Sequence, residues 1–238
     1  YNTDYTLDEQ LLWIRHVCSQ RENLTFLEKQ AVELQGVRIL GTTLWSHVPQ
    51  KFTKAAEATM NDYHSIRVRT YNNNNNNNNN TPTTPTTSST KYRTATRCVT
   101  VQDTNEWFRT NLEWLEQQIQ RAREENKPVV VLTHHAPSDE GTCHPKYHNN
   151  RSTFSIHSMS CSNLVHLLQD PVRVWACGHT HYNFDLMFSN GQQTNNNYDN
   201  KNTTTRLVSN QRGYPKSPKK DYDHQGLVLR IPTTSRFV

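Results

Sequence analysis

The pattern of hydrophobic and polar positions predicts two helix–strand units in the second half of the chain. In the first unit, residues 106–125 carry apolar side chains spaced alternately by four and three positions, which predicts a helix with one continuous apolar face. We expect Asp103 and Glu106 to cap its start and Lys127-Pro128 to end it. Residues 129–132 (VVVL) follow, and such an uninterrupted apolar, β-branched run is typical of a strand buried on both faces.

The second unit repeats this order of elements. Residues 162–169 predict a shorter helix, which Asp170-Pro171 ends, and residues 172–177 (VRVWAC) predict the next strand. Near the amino terminus, residues 7–18 show a helical apolar stripe, and residues 37–40 predict a strand after a turn at Gln35-Gly36. Alternating helices and strands of this kind predict an α/β fold.

Each predicted strand in the second half is followed directly by a histidine motif. Thr133-His134-His135 follows the first strand, and Gly178-His179-Thr180-His181 follows the second. Ligands of α/β sheets bind in the crevice outside the carboxyl ends of the strands, so we expect both motifs to meet there. Residues at i and i+2 of an extended segment point to the same side, which places His179 and His181 together for metal binding. Glycine before the pair permits a tight turn.

Composition adds two low-complexity segments to this picture. The chain has 238 residues, only 33% of them hydrophobic, and a mean hydropathy of −0.91. Polar insertions at about residues 71–97 and 190–205, rich in Asn and Thr, account for much of the deficit. Such segments bury too little apolar surface to offset the entropy of ordering, so we expect loops. The remainder predicts a single domain over residues 1–238.

Charge and cysteine content exclude several classes of function. The net charge of +5 comes from residues 201–238, which carry eight Lys or Arg and two Asp. A basic tail raises the hypothesis of nucleic-acid binding, but the sequence contains no recognisable nucleic-acid-binding module. Five cysteines without CxxC spacing suit a reducing compartment, and with no membrane segment this predicts a cytoplasmic protein. A zinc site built from Cys143, His144, His148, Cys161 and Cys177 is disfavoured, because their spacings match no zinc template.

The histidine motifs belong to stretches that resemble a known family. VVVLTHHAPS at 129–138 and WACGHTHYNFD at 175–185 resemble the last two motifs of calcineurin-like metallophosphoesterases. LGTTLWS at 40–46 and LVSNQRGY at 207–214 are similar to a common strand segment and to the closing strand and turn of that family. The resemblance implies a two-sheet sandwich flanked by helices, which this chain would supply incompletely at its amino terminus.

The resemblance also implies a site and a reaction. His134 and His179 would bind one divalent metal ion and His181 a second, the ions being Mn, Fe or Zn, with a phosphate monoester or diester as substrate. A hydroxide bridging the two ions would be the nucleophile. His135 would contact the phosphate or be structural, and Asp62 would approach the crevice or be solvated. No catalytic residue is assigned, and the sequence indicates neither the substrate nor the oligomeric state.

The chain departs from the family pattern in one large respect. The family also has Asp-x-His, Gly-Asp and Gly-Asn-His-Glu/Asp motifs, and residues 1–36 contain none of them. Since three histidines cannot hold two metals without the bridging aspartate, we expect a longer parent protein or a degenerate copy. The alternative to an enzyme is therefore a non-catalytic calcineurin-like scaffold that has lost its metal site and acts as an interaction module.

Overall fold

The computed structural model describes residues 5–70, 95–145, 159–194, 204–229 and 231, which form two compact units. The first unit contains residues 1–26 and 59–100, and the second contains residues 27–58 and 101–238. The predicted single domain stays a prediction. Most of both predicted insertions lies outside the described residues, but strands occupy residues 96–98, 192–194 and 204–205 at their ends.

The described part of the first unit contains two helices and a pair of short strands. Its elements are α1 (Leu7–Ser19), α3 (Asp62–Ser65), β3 (Arg67–Arg69) and β4 (Thr96–Cys98), with β3 and β4 antiparallel. A capping box begins α1, because Glu9 accepts hydrogen bonds from the backbone and hydroxyl of Thr6. The helix predicted at 7–18 is therefore confirmed.

The second unit is built on a seven-stranded mixed sheet. Its elements are β1 (Gln30–Leu34), β2 (Val37–Thr42), α2 (Thr53–Thr59), α4 (Val101–Glu124), β5 (Val129–Thr133), β6 (Val172–Ala176), β7 (Phe184–Ser189), β8 (Gln192–Thr194), β9 (Thr204–Ser209), β10 (Gly213–Tyr214) and β11 (Ser217–Pro218). The sheet order is β1-β2-β5-β6-β9-β7-β8, and β2, β5, β6 and β9 are parallel. Strands β10 and β11 form a separate hairpin. The α/β class is confirmed.

The strands predicted at 37–40, 129–132 and 172–177 are confirmed, and the turn at Gln35-Gly36 joins β1 to β2. Both turn residues have positive φ, 50° and 79°, as the tight turn of a hairpin requires. Alternate residues of the central strands enter two clusters on opposite faces of the sheet. One face packs on α4 through Leu40, Val131, Trp175 and Leu207.

Helix α4 begins five residues earlier than the sequence predicts. The backbone N–H of Val101 donates to Oε1 of Glu57 at 3.0 Å, so the cap comes from a distant carboxylate rather than from Asp103. Asp103 lies inside the first turn, where a negative charge favours the helix dipole. The predicted capping role of Asp103 and Glu106 is therefore wrong.

The prediction of a second helix at residues 162–169 is also wrong. Only Val165–Leu167 is helical, as one 3-10 turn. The backbone N–H groups of Ser162 and Leu164 donate to the carbonyls of Ala136 and Pro137, at 3.1 and 2.7 Å, which commits the start of this segment to the loop after β5. Within the described ranges, no helix combines the length and apolarity that a membrane crossing requires.

Candidate metal centre

Both histidine motifs lie at the same edge of the sheet, as the sequence predicts. Strands β5 and β6 are parallel neighbours, with Leu132 opposite Ala176 in the register. His134 and His135 come directly after β5, and His179 comes three residues after the last residue of β6. The backbone N–H of Gly178 donates to the carbonyl of His134 at 2.9 Å, which joins the two loops.

Three imidazoles meet at this edge. The ligand nitrogens of His134, His135 and His179 all lie within 4.8 Å of one another. Nδ1 of His179 is 3.1 Å from Nε2 of His134, and the ring of His179 stacks on that of His135 with centroids 4.1 Å apart. In the described part of the chain, this is the only such group of three or more histidines, cysteines or acidic residues, and it includes no carboxylate.

The loop after β2 holds the first motif in place. The carbonyl of Thr43 accepts hydrogen bonds from the backbone N–H groups of both His134 and His135, at 3.1 and 3.2 Å. Thr43 is itself held by Glu28, whose carboxylate accepts from its backbone N–H at 2.8 Å and from its hydroxyl at 2.6 Å. The segment at 40–46 therefore supports the site through its backbone. Sequence reasoning did not identify Glu28, which lies in a stretch without a recognisable motif.

His135 is the buried member of the cluster. Its Nδ1 is 2.7 Å from Oγ of Ser46, a bond that fixes the ring orientation and couples its tautomer to the serine hydroxyl. Its carbonyl accepts from the hydroxyl of Thr133, which in turn accepts from the indole N–H of Trp175. This chain of bonds connects the cluster to the fully buried Trp175 in the core.

The loop that carries His179 and His181 depends on Gln211. Both histidines have positive φ, 65° and 50°, which non-glycine residues adopt only when neighbouring groups hold them. Oε1 of Gln211 accepts from the N–H of His181 at 3.0 Å, and its Nε2 donates to the carbonyl of Tyr182 at 3.1 Å. Gln211 belongs to the LVSNQRGY stretch, but sequence reasoning did not single it out.

The predicted role of Gly178 is not supported by the geometry. A Cβ atom at this position would lie 3.6 Å from Nδ1 and from the carbonyl oxygen of His134, which is ordinary van der Waals contact. The unusual backbone conformations fall on His179 and His181 instead. The turn therefore depends on the hydrogen bonds of its neighbours rather than on the absence of a side chain.

The environment favours the neutral form of three of the histidines, His135, His179 and His181. Burial, reinforced by the neighbouring His179 and His134, holds the pKa of His135 well below its usual value. Burial, and then the neighbouring His134 and His181, lower the pKa of His179 to about 3. Burial and then Lys219 lower the pKa of His181. A neutral imidazole offers its lone pair to a metal without first losing a proton.

His181 lies outside the three-histidine cluster. Its ring is perpendicular to that of Tyr214, with centroids 4.6 Å apart. The structure thus brings together two of the three predicted metal ligands, His134 and His179, and adds His135. Binding of a second ion by His181 stays a prediction.

The remaining candidates do not add ligands to the cluster. Asp62 begins α3 in the first unit, and its approach to the crevice stays a prediction. Cys143, Cys161 and Cys177 are free cysteines, of which the first two are buried. His148 lies outside the described residues. In the described ranges the three cysteines belong to no group of three or more potential ligands, and the disfavoured zinc site stays a prediction.

Comparison with known proteins found little that bears on function. No protein-family model matches the chain, and no solved structure matches it. An uncharacterized protein of Acanthamoeba polyphaga mimivirus, L509, is 26% identical over 190 residues. The match covers 77% of this chain and 58% of the mimivirus protein, so the chain spans little more than half the length of that relative.

Proposed function

We propose that this chain is part of a metal-dependent phosphoesterase of the calcineurin-like type. The observation that best supports this proposal is the 3.1 Å distance between Nδ1 of His179 and Nε2 of His134, at the carboxyl ends of two adjacent parallel strands. The finer fold, a two-sheet sandwich flanked by helices, is part of the same proposal. The seven-stranded sheet would be one of its layers.

The geometry of the histidines fits a divalent metal ion. Metal–nitrogen distances of 2.0–2.1 Å and a tetrahedral angle separate two imidazole ligand atoms by about 3.4 Å, and an octahedral right angle separates them by about 3 Å. The observed 3.1 Å falls in this interval. The alternative explanation, a hydrogen bond between two neutral imidazoles, needs no metal, but it does not involve the third imidazole, that of His135.

In the proposed enzyme the residues have separate tasks. His134 and His179 would hold one metal ion, and His181 would hold a second. Bound divalent ions lower the pKa of water and neutralise the charge that develops on the phosphoryl group. His135 is held by Ser46 and stacked on His179, so it presents a fixed imidazole beside the ion site. In the overall reaction, water adds to phosphorus, the ester P–O bond breaks and the alcohol leaves with a proton.

The proposal requires ligands beyond the three-histidine cluster. A dinuclear site of this type needs a bridging carboxylate, and no carboxylate belongs to the cluster within the described residues. That absence favours the second candidate, a calcineurin-like scaffold that has lost its metal site and acts as an interaction module. The two candidates predict opposite outcomes for metal-dependent activity.

Hydrolysis of phosphate esters by the full-length protein distinguishes them. We expect turnover of p-nitrophenyl phosphate or of bis(p-nitrophenyl) phosphate with Mn²⁺, Fe²⁺ or Zn²⁺, and its loss with chelator. The His179→Ala variant should lose at least about 100-fold in kcat/KM. His166→Ala, at an exposed histidine that contacts Glu116, is the matched control and should retain activity. No hydrolysis of either ester with any of the three ions would favour the scaffold.

A further inference from the structure

The hairpin of β10 and β11 lies beside His181. Tyr214 is 59% exposed, yet its ring makes an edge-type contact with the imidazole of His181 at 4.6 Å between centroids. An aromatic ring that contacts a candidate site residue and stays open to solvent offers its remaining surface to a ligand. The loop that carries His181 also carries His179, a member of the three-histidine cluster, two residues earlier.

The hairpin is built into the site rather than loosely attached. Three residues before Tyr214, Gln211 holds the loop of His181, and its own backbone N–H donates to Oδ1 of Asn183. At the far end of the hairpin, the backbone N–H of Lys219 donates to the carbonyl of Arg212 at 2.8 Å. Tyr214 is therefore held at both ends of its segment.

Lys219 adds a positive charge on the same side. A Cβ atom at Gly213 would lie 3.2 Å from Cγ of Lys219, so the stem of the lysine packs directly over this glycine. Among the described residues Lys219 forms no ion pair with a carboxylate, which leaves its ammonium group available to an anion.

We propose that Tyr214 and Lys219 form a substrate-recognition wall, which selects phosphate esters whose alcohol group carries a planar aromatic ring. The inference rests on the proposed phosphoesterase function and names its substrate class. The aromatic ring of the ester would stack on Tyr214, and Lys219 would attract the phosphate charge. Stacking on an exposed aromatic side chain stabilises the binding of any nucleic-acid base, because every base has a planar π-face.

The test compares aromatic with aliphatic esters in the full-length, metal-loaded protein. We expect Tyr214→Leu to lower kcat/KM for phenyl phosphate and for a nucleoside monophosphate about tenfold. The same variant should keep kcat/KM for 2-glycerophosphate within about twofold of the wild-type value. Comparing the fold-change in kcat/KM between esters removes the difference in their intrinsic reactivity. The Tyr214→Phe variant keeps an aromatic ring and should retain the wild-type preference for aromatic over aliphatic esters. Lys219→Ala should lower kcat/KM for all esters, and the matched control Lys220→Ala should not.

A binding measurement separates this inference from the proposed function. Calorimetry with phenylphosphonate and methylphosphonate, which are not hydrolysed, should show tighter binding of the aromatic ligand, lost in Tyr214→Leu. Equal effects of Tyr214→Leu on aromatic and aliphatic ligands would overturn the recognition wall while hydrolysis, if present, would still support the phosphoesterase. Tyrosine-dependent binding without any hydrolysis would overturn the phosphoesterase and leave the recognition wall standing. If phenylphosphonate does not bind, the recognition wall is overturned.

Discussion

Nδ1 of His179 lies 3.1 Å from Nε2 of His134, although 45 positions separate the two residues in the chain. The proximity follows from the parallel pairing of β5 with β6, which brings the carboxyl ends of both strands to one edge. Hydrogen bonds to the Glu28 carboxylate, the Thr43 carbonyl and Oε1 of Gln211 then fix the loops that carry the imidazoles. Each part of this arrangement can be tested separately.

Gln211 is expected to act as a positioning residue for His181. Replacing it with Ala removes the acceptor for the N–H of His181 and the donor to the carbonyl of Tyr182. Supporting residues of this kind typically contribute 10- to 100-fold to metal affinity, so we expect about a tenfold loss in Gln211→Ala. Calorimetric titration with Mn²⁺ measures it.

The control for this experiment is Gln225→Ala, at an exposed glutamine whose backbone N–H bonds to Asp223. It should bind Mn²⁺ as the wild type does. Unchanged affinity in Gln211→Ala would show that the loop of His181 does not depend on the glutamine side chain for its function.

The Ser46–His135 pair should contribute to stability. Ser46→Ala leaves Nδ1 of a buried imidazole without its 2.7 Å partner, and an unsatisfied buried polar group costs about 1–3 kcal/mol. We expect the free energy of unfolding, measured by urea denaturation at pH 7, to fall by about this amount. Ser19→Ala, at an exposed serine bonded to the carbonyl of His16, should change it by much less.

The neutral histidines predict a specific dependence of stability on pH. In the fold, the pKa of His179 is about 3 and that of His135 lies well below its usual value, whereas both are near 6.5 in the unfolded chain. Below pH 6.5 the unfolded chain therefore binds protons that the folded chain does not. The free energy of unfolding should decrease as the pH falls from 6.5 to 5, by up to about 1.4 kcal/mol per pH unit for each group.

Urea denaturation of chelator-treated protein at pH 7, 6 and 5 measures this slope. His179→Gln should make it shallower, and His166→Gln, at an exposed histidine outside the cluster, should keep the wild-type slope. Glu125 contributes little to this slope: Lys127, Arg121 and Arg38 lower its pKa from 4.5 to about 2, so the stabilisation that it provides is lost only below the pH range of the experiment. An identical slope in wild type and His179→Gln would contradict a neutral His179.

The start of α4 provides a test of the fold. Glu57→Ala removes the acceptor for the N–H of Val101, and loss of a helix cap costs about 0.5–2 kcal/mol. Glu113→Ala, on the exposed side of the same helix, removes only its surface pair with Arg109 and should cost less than about 0.5 kcal/mol. Thermal or urea unfolding followed by circular dichroism compares the two variants, and equal effects would argue against the cap.

Local patterns were sufficient for strands β2, β5 and β6 and for the positions of the histidine motifs. Strand β5 begins as a continuous apolar run and β6 is interrupted only by Arg173, because residues on both of their faces are buried, and each strand is followed by a histidine motif. The start of α4 could not be predicted, since its cap is a carboxylate 44 positions away. The segment at 162–169 has a helical pattern of leucines, but hydrogen bonds to the loop after β5 replace the helix.

The residues that support the site could not be recognised from the sequence, because each bonds to a group far away along the chain. Glu28 bonds to a backbone N–H 15 positions away, and Gln211 bonds to one 30 positions away. Either residue could occupy an ordinary loop without changing the local pattern. The contact of His181 with Tyr214 is likewise a product of the fold, because two adjacent loops are brought together by β9.

Metal titration of the histidine variants tests the central claim most directly. The full-length protein, freed of metal with chelator, is titrated calorimetrically with Mn²⁺ and Zn²⁺, alongside His134→Ala, His179→Ala and the control His166→Ala. We predict that the wild type and His166→Ala bind at least one of these ions, and that each of the two cluster variants loses at least about 100-fold in affinity. Absence of binding in the wild type, or equal affinity in wild type and both cluster variants, would contradict a metal centre at His134 and His179.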